Sequence, residues 1–430
     1  MYSKINFFNK SFSNDFFQFL AVILLSIFPL LFFIGTGLVN ITVIILDVIF
    51  ISELLIKRRL NFLKNYIFFS LILLWITFLI NIIFSTDPLN SFDRGFGFIR
   101  FIFFIMLVLY YFNINNEKYQ KIILYSWLII FSITSLDLIF ELVNGKNILG
   151  FQSYIHGRLA GFFNDELIIG HFYYAFILII LSFIFKIFSN KKFNVINKEY
   201  DLKNFIYLFI FLFLLISFLI GERSNFIKVL IMVLLFTFLV EGKLFKLKFF
   251  LFSAFLIFIV IIINFNDQYK KRFVNEFLKQ YLENPIENIF KSTHGGHYLT
   301  ALKVYNNNKV FGVGLKNYSN EIKKKEYKYF FYITSTNPST HPHQIHFEFI
   351  AELGLFGYFS LMVFFIYHFY KYIKNRNFNN NFNLSGLLFV FTSLLPLLPS
   401  GSFFTSHSAT LFWMNFAFMC LNQKEINYDF

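Results

Sequence analysis

The stretch STHPHQIHFEF, residues 339 to 349, sets His341, His343 and His346 within six positions, with Glu348 close behind and Glu352 a helical turn further on. Three chemistries suit histidines at that spacing. A neutral imidazole can take a proton near neutral pH and so activate a poor nucleophile such as a hydroxyl. H-x-H-x-x-H can also ligate a metal, although no nearby carboxylate completes a recognised metal motif. The third use is hydrogen bonding at a membrane interface, the preferred reading for His341 and His346. Other costly groups fall in or beside apolar runs: Arg100, Asp137, Asp165, Glu166, Arg223 and His407, with Asp47 and Glu53 set apart from them. Ionisable residues inside a bilayer are by default functional, and the competing reading is that some pair with one another or snorkel to headgroups.

The elements that position these residues are membrane spans. With 57% apolar residues, 71 phenylalanines and only 14% charged residues, the chain has too little polar surface to cover a soluble globule. A span needs roughly 20 apolar residues. On that criterion twelve fall near 17–36, 38–56, 66–84, 96–112, 121–141, 162–186, 204–220, 224–241, 247–265, 347–370, 385–400 and 402–421. The last two are split by PLLPSGS. The expected fold class is an all-α polytopic membrane protein. Residues 1–265 hold spans one to nine, 266–346 form one large extracytoplasmic connection, and 347–430 hold the last three spans and a cytoplasmic tail. The N-terminal apolar run lacks a small-residue cleavage site and reads as a retained signal anchor.

Short loops rich in Lys and Arg mark the cytoplasmic side. KRRLNFLK, NKKFNVINKEYDLK, EGKLFKLK and KYIKNRN alternate with nearly neutral loops such as STDPLNSFDRG. Both termini then lie in the cytoplasm, and the three histidines and most of the intramembrane charges gather at the outer face. The 266–346 connection carries twelve Lys or Arg against six Asp or Glu, a basic lid that favours an anionic ligand. Its run IKKKEYK reads better as a face attracted to anionic membrane lipids. Nucleic acid is disfavoured on that side. A single cysteine, Cys420, excludes an internal disulfide framework and a cysteine metal cluster.

Four segments in order, GRLAGFFNDELIIGHFY (157–173), LIGERSNFIKVLIMVLLF (219–236), YLTALKVYNNNKVFGVGLKNY (298–318) and HPHQIHFEFIAELGLFGYFSLM (341–362), resemble the O-antigen ligase and O-antigen polymerase superfamily. The most specific parts are FGVGLKNY, similar to the family's G-V-G turn, and HQIHFEFIAELGLFG, similar to its H-N-x-x-L followed by A-E-L-G-x-x-G. The resemblance implies a glycosyltransferase C-like fold. It also implies transfer of a glycan from an undecaprenyl diphosphate donor to a sugar hydroxyl, on a glycan or a lipid A core, at the periplasmic face of the bacterial inner membrane. His343 matches the family's loop histidine, with Gln344 and Phe347 where Asn and Leu are usual. Arg223 matches an arginine that the family uses on the lipid diphosphate. The family's second arginine, expected shortly before Tyr298, is missing from STHGGHYLTA. His294 or His297 would have to stand in, or Arg158 or Arg272 could reach over.

That chemistry suits the residue types. The leaving group already carries two phosphates, so holding its charge matters more than protonating it, and arginine's planar fork binds phosphate bidentately. His343 is the expected general base, with Glu348 or Glu352 orienting it and Arg100 among the further substrate contacts. Neither metal nor cofactor is required on this reading. A polysaccharide transporter or lipid flippase is the alternative, but internal repeats and broken helices around a midplane site, expected of such proteins, are not legible. Labelling of cysteines introduced at Lys191 and Lys324 is expected to place the two on opposite sides of the membrane. Finding both on one side would overturn the topology and the site drawn from it.

Overall fold

The computed structural model describes residues 2–113, 117–166, 168–189, 192–195, 198–201, 205–240, 245–278, 282, 287–288, 291–327, 339–375, 380–396 and 398–421. In chain order the helices are α1 (Tyr2–Ile34), α2 (Thr36–Ile56), α3 (Tyr66–Ile83), α4 (Pro88–Gly95), α5 (Ile99–Asn113), α6 (Glu117–Asn144) and α7 (Ile169–Phe188). A short antiparallel hairpin, β1 (Lys192–Val195) with β2 (Lys198–Asp201), precedes α8 (Ile206–Leu219), α9 (Arg223–Leu239) and α10 (Phe245–Phe265). Beyond a polar connection that contains α11 (Thr293–Asn307) come α12 (Ile345–Lys374), α13 (Asn381–Ser393) and α14 (Ser406–Met419).

Polar residues set the helix starts. Asn65 caps α3 by accepting from the Phe68 N–H, Asp87 caps α4 ahead of Pro88, and Asn380 caps α13. Eight helical stretches among the described residues are long and apolar enough to cross a membrane: Phe16–Ile34, α2, α3, Pro88–Asn113, α6, α7, Lys246–Phe265 and α12. The other four expected spans coincide with α8, α9, α13 and α14, of 14, 17, 13 and 14 residues, shorter than a full crossing. Two boundaries differ from the sequence reading. α7 starts at Ile169 and not near 162, because Gly161–Glu166 is a 3₁₀ turn with Asn164 at φ 52°. α13 stops at Ser393 and α14 begins at Ser406, since Pro396 and Pro399 cannot continue a helix between them.

At the centre of the bundle α5, α7 and α14 are predominantly apolar and largely buried. α14 packs on α13, α5 and α2, and α7 packs on α13, α8 and α9. By contrast α10 turns most of its apolar side chains outward, as a lipid-facing helix does.

The polar connection is fastened to the bundle through its backbone. Gly354, at φ 63°, breaks the helical geometry of α12. The carbonyls of Ala351 and Glu352 accept from the N–H groups of Val313 (3.0 Å) and Gly314 (2.8 Å), while Leu355 and Phe356 donate to Lys309 (2.9 Å) and Val310 (3.0 Å). Asn81 of α3 completes the clamp: its Nδ2 donates to the Phe311 carbonyl at 2.6 Å and its Oδ1 accepts from the Leu315 N–H at 3.3 Å. Non-helical backbone within an apolar bundle needs such internal partners. A Cβ on Gly354 would collide with Gly312 N and the Val310 carbonyl. Gly354→Ala is therefore expected to destabilise the protein by about 2–4 kcal/mol, from the positive φ and the overpacking together. Thermal melting of the detergent-solubilised protein checks this, and an unchanged melting temperature would contradict the clamp.

Candidate functional site

Three separate crossings of the chain meet at one end of the bundle. The loop at Gly157 and Arg158 lies against the turn Ile220–Gly221, with the Leu159 N–H donating to the Ile220 carbonyl at 3.1 Å. The approach is so close that a Cβ on Gly221, itself at φ 76°, would clash with the Gly157 carbonyl. The third crossing is the π-helical turn Lys270–Leu278, whose Arg272 Nη2 donates to the Gly221 carbonyl at 2.9 Å. Close backbone contact thus places Arg158, Arg223 and Arg272 together.

Each guanidinium is held. Arg158 Nη2 lies 2.8 Å from Glu222 Oε1. Glu222 is itself fixed by the Gly170 N–H at 3.2 Å and by Asn225 Nδ2 at 2.6 Å. Arg223 Nη1 donates to the Arg272 carbonyl at 3.2 Å and stands 4.0 Å from Glu276. Burial, reinforced by the charges of Arg223 and Arg158, pulls the Arg272 pKa down to about 10. Among the described residues two carboxylates, Glu222 and Glu276, stand beside these three cations, and a multiply charged anion would relieve the repulsion between them.

These arginines line a cavity of about 870 Å³ together with His294, Tyr298, His343, Lys228 and Lys291. The lining also includes His171 and Tyr174 of α7, Phe403, Phe412 and Pro399. His343 sits just before α12, which starts at Ile345 and is capped by Gln344 accepting from the Phe347 N–H. Its backbone takes φ 58°, unusual for a residue with a Cβ, and its carbonyl accepts from the Ser400 N–H at 2.8 Å. Ser339 Oγ lies 2.9 Å from its Nε2.

Four imidazoles crowd this point. The His343 ring centroid is 4.2 Å from that of His341, 5.0 Å from that of His297 and 5.5 Å from that of His294. Burial is the main cause that lowers every one of their pKa values. His343 falls to about 3, helped by His341, His294 and His297, while His294 and His341 each fall to about 4 and His297 shifts in the same direction. All four are neutral at pH 7. Among the described residues no group of three or more His, Cys, Asp or Glu is arranged to hold a metal ion.

The structure separates residues that the sequence grouped. Arg158, Arg223, Arg272, His294 and His343 line the one cavity, and His297 touches it through His343. Glu348 does not reach His343: its carboxylate accepts from Ser402 Oγ and from the Phe403 N–H, fixing the turn that leads into α14. Glu352 is buried beneath the Gly312–Gly314 turn. Arg100 stands over the Phe101 ring near Asp47 and Ser406, away from the cavity lining. His346 bonds the Leu394 carbonyl at 2.8 Å and Tyr358 at 3.3 Å, a structural role, whereas His341 joins the imidazole cluster. Lys323, Lys324 and Lys325 stay out of the lining. The side chain of Asp165 lies outside the described residues, as do Lys279 and Lys328. Sequence reading passed over Glu222, within the quoted GERSN, and Lys228, five residues beyond Arg223 in an apolar helix. The rule that intramembrane charge marks function would have found the lysine.

A multi-pass membrane protein with a cation-lined cavity at one end of its helices is the class this geometry defines. Residues 208–362 match the family model described as O-antigen ligase, which supports placing the chain in the O-antigen ligase and polymerase superfamily. The matched stretch spans Arg223, Lys228, Arg272, His294 and His343 and both halves of the Gly354 clamp. The family suggests a glycosyltransferase-like enzyme acting in O-antigen assembly. No curated protein matches the chain.

The histidine cluster makes the fold acid-sensitive. Below pH 6.5 the unfolded chain binds protons that the folded imidazoles refuse until about pH 3 to 4. Well above pH 6.5 the imidazoles are neutral in both states and the proton-linked cost vanishes, and stability is lost progressively as the pH falls through that value. Melting temperature in detergent is expected to drop between pH 7 and pH 5, with a shallower drop in a His341→Asn, His343→Asn double variant. Equal slopes in the two proteins would contradict the assignment.

Proposed function

We propose that the protein transfers a glycan from an undecaprenyl diphosphate donor to a sugar hydroxyl at the periplasmic face of the inner membrane, as a ligase or polymerase of O-antigen. On this reading α8, α9, α13 and α14 cross the membrane with the eight longer stretches, both termini are cytoplasmic, and the 266–346 connection is outside. The observation that carries it is the meeting of Arg158, Arg223 and Arg272 with His343 around one cavity, from stretches far apart in the chain.

Arg223 and Arg272, with Arg158, grip the diphosphate. The acceptor oxygen attacks the anomeric carbon, and the bond from that carbon to the phosphate oxygen breaks with its electron pair going to the diphosphate. The guanidinium cluster stabilises that charge as it develops. His343 takes the acceptor proton. In the tautomer whose Nε2–H donates to Ser339 Oγ, Nδ1 carries the lone pair that takes this proton. An imidazole of pKa about 3 is a weak base, and the diphosphate charges beside it raise that value. No step calls for a metal, because the cationic side chains supply the charge.

With purified protein, a lipid diphosphate donor and an acceptor, Arg223→Ala is expected to abolish transfer while the protein stays folded in the membrane. Arg223→Lys is expected to recover part of the activity, because a point charge does not reproduce the fork. His343→Ala is expected to lose about 100- to 10,000-fold in kcat with donor binding retained. His346→Ala should stay within a few-fold of the parent, and a chelator should change nothing. Full activity in His343→Ala would remove the general base from this scheme. Inhibition by chelator would replace it with a metal site.

A further inference from the structure

Lys228 is a buried cation, 4% exposed, on the inner wall of the same cavity. Of its three N–H donors, one reaches the Pro399 carbonyl at 3.3 Å. Among the described residues no carboxylate stands within ion-pair distance of it: Glu222 is taken by Arg158 and Asn225, and Glu276 faces Arg223. A lone ammonium in an apolar helix is costly without an anionic partner. α9 also begins at the cavity with Glu222 as a cap residue that makes no side-chain capping bond, so the positive end of the helix dipole points the same way. Arg223 and Lys228 lie five residues apart on α9, which sets the lysine about 7.5 Å deeper along the helix axis. The cavity therefore carries charge at two depths, arginines at the rim and one lysine towards the apolar core.

We infer that Lys228 is a further substrate-binding residue, whose ammonium holds the phosphate adjoining the lipid chain of a polyprenyl diphosphate while the rim arginines hold the phosphate next to the sugar. The inference rests on the function proposed above and adds a division of labour between the two phosphates. A lipid chain lies in the bilayer and its glycan in water, so the deeper cation meets the lipid-side phosphate. A polyprenyl monophosphate has only that phosphate and should depend on Lys228 but scarcely on Arg223.

Binding of polyprenyl diphosphate, monophosphate and uncharged polyprenol to the full chain in phosphatidylcholine nanodiscs tests this. Lys228→Gln is expected to weaken both phosphorylated lipids about 10- to 100-fold, the worth of a charge-assisted bond. Arg223→Ala should weaken the diphosphate comparably and the monophosphate by less than about 3-fold. Without lipid, Lys228→Met should melt no lower than the parent, since it removes an uncompensated buried charge. A fall in its melting temperature with lipid affinities intact would make Lys228 a structural donor to Pro399 and overturn the inference. So would loss of binding in phosphatidylglycerol nanodiscs, which would mark a bulk headgroup as the occupant. If the parent binds neither phosphorylated lipid better than polyprenol, the proposed function fails and takes this inference with it.

Discussion

The pairing of the Lys309–Gly314 turn with the break in α12 at Gly354 is the constraint on which the site depends. A helix interrupted inside an apolar bundle frees carbonyls and N–H groups that lipid cannot satisfy. Here the freed groups of Ala351, Glu352, Leu355 and Phe356 are taken by the turn, and Asn81 of α3 ties the turn to a second helix. The stretch that leads out of this clamp runs two turns back along α12 to His343. The clamp thus fixes the Lys309–Gly314 turn to α12, and the A-E-L-G and G-V-G motifs are its two halves.

A second pairing, between chain crossings at Gly157, Gly221 and Arg272, performs the same service for charge. Three guanidiniums repel one another, and left to themselves they would splay into water. Backbone carbonyls of Gly221 and Arg272 and the carboxylates of Glu222 and Glu276 hold them instead. On the proposed reading the cluster attracts a diphosphate while remaining preorganised, and preorganised charge is what stabilises a developing leaving group at least cost.

The imidazole cluster sets the opposite electrostatic condition. His343 is surrounded by other imidazoles and by buried surface, all of which oppose its protonation. A base kept neutral beside a cationic site is available to accept a proton, and the charge of a bound anion would restore its strength at the moment it is needed. Glu348, expected to serve this histidine, instead fixes the turn from Ser402 to Phe403, so the orientation of His343 comes from Ser339, Ser400 and its own strained backbone.

Membrane class and most helix positions were legible in the sequence, as were the segments that carry Arg223 and His343 to the one cavity, because apolar length and local motif are properties of consecutive residues. Chain order also exposed which short stretches resemble a known family. What it could not express is convergence. Arg158 and Arg272 enter the cavity while Arg100 does not, because close contact of Gly157 with Gly221 and the π-turn after α10 decide the matter, and neither leaves a mark at the arginines themselves. The division among the histidines has the same origin: His346, in the first turn of α12, bonds the Leu394 carbonyl, whereas His341 packs on His343. Whether a buried charge is a ligand or a strut depends on which partners surround it, and only the packing of distant segments supplies those partners.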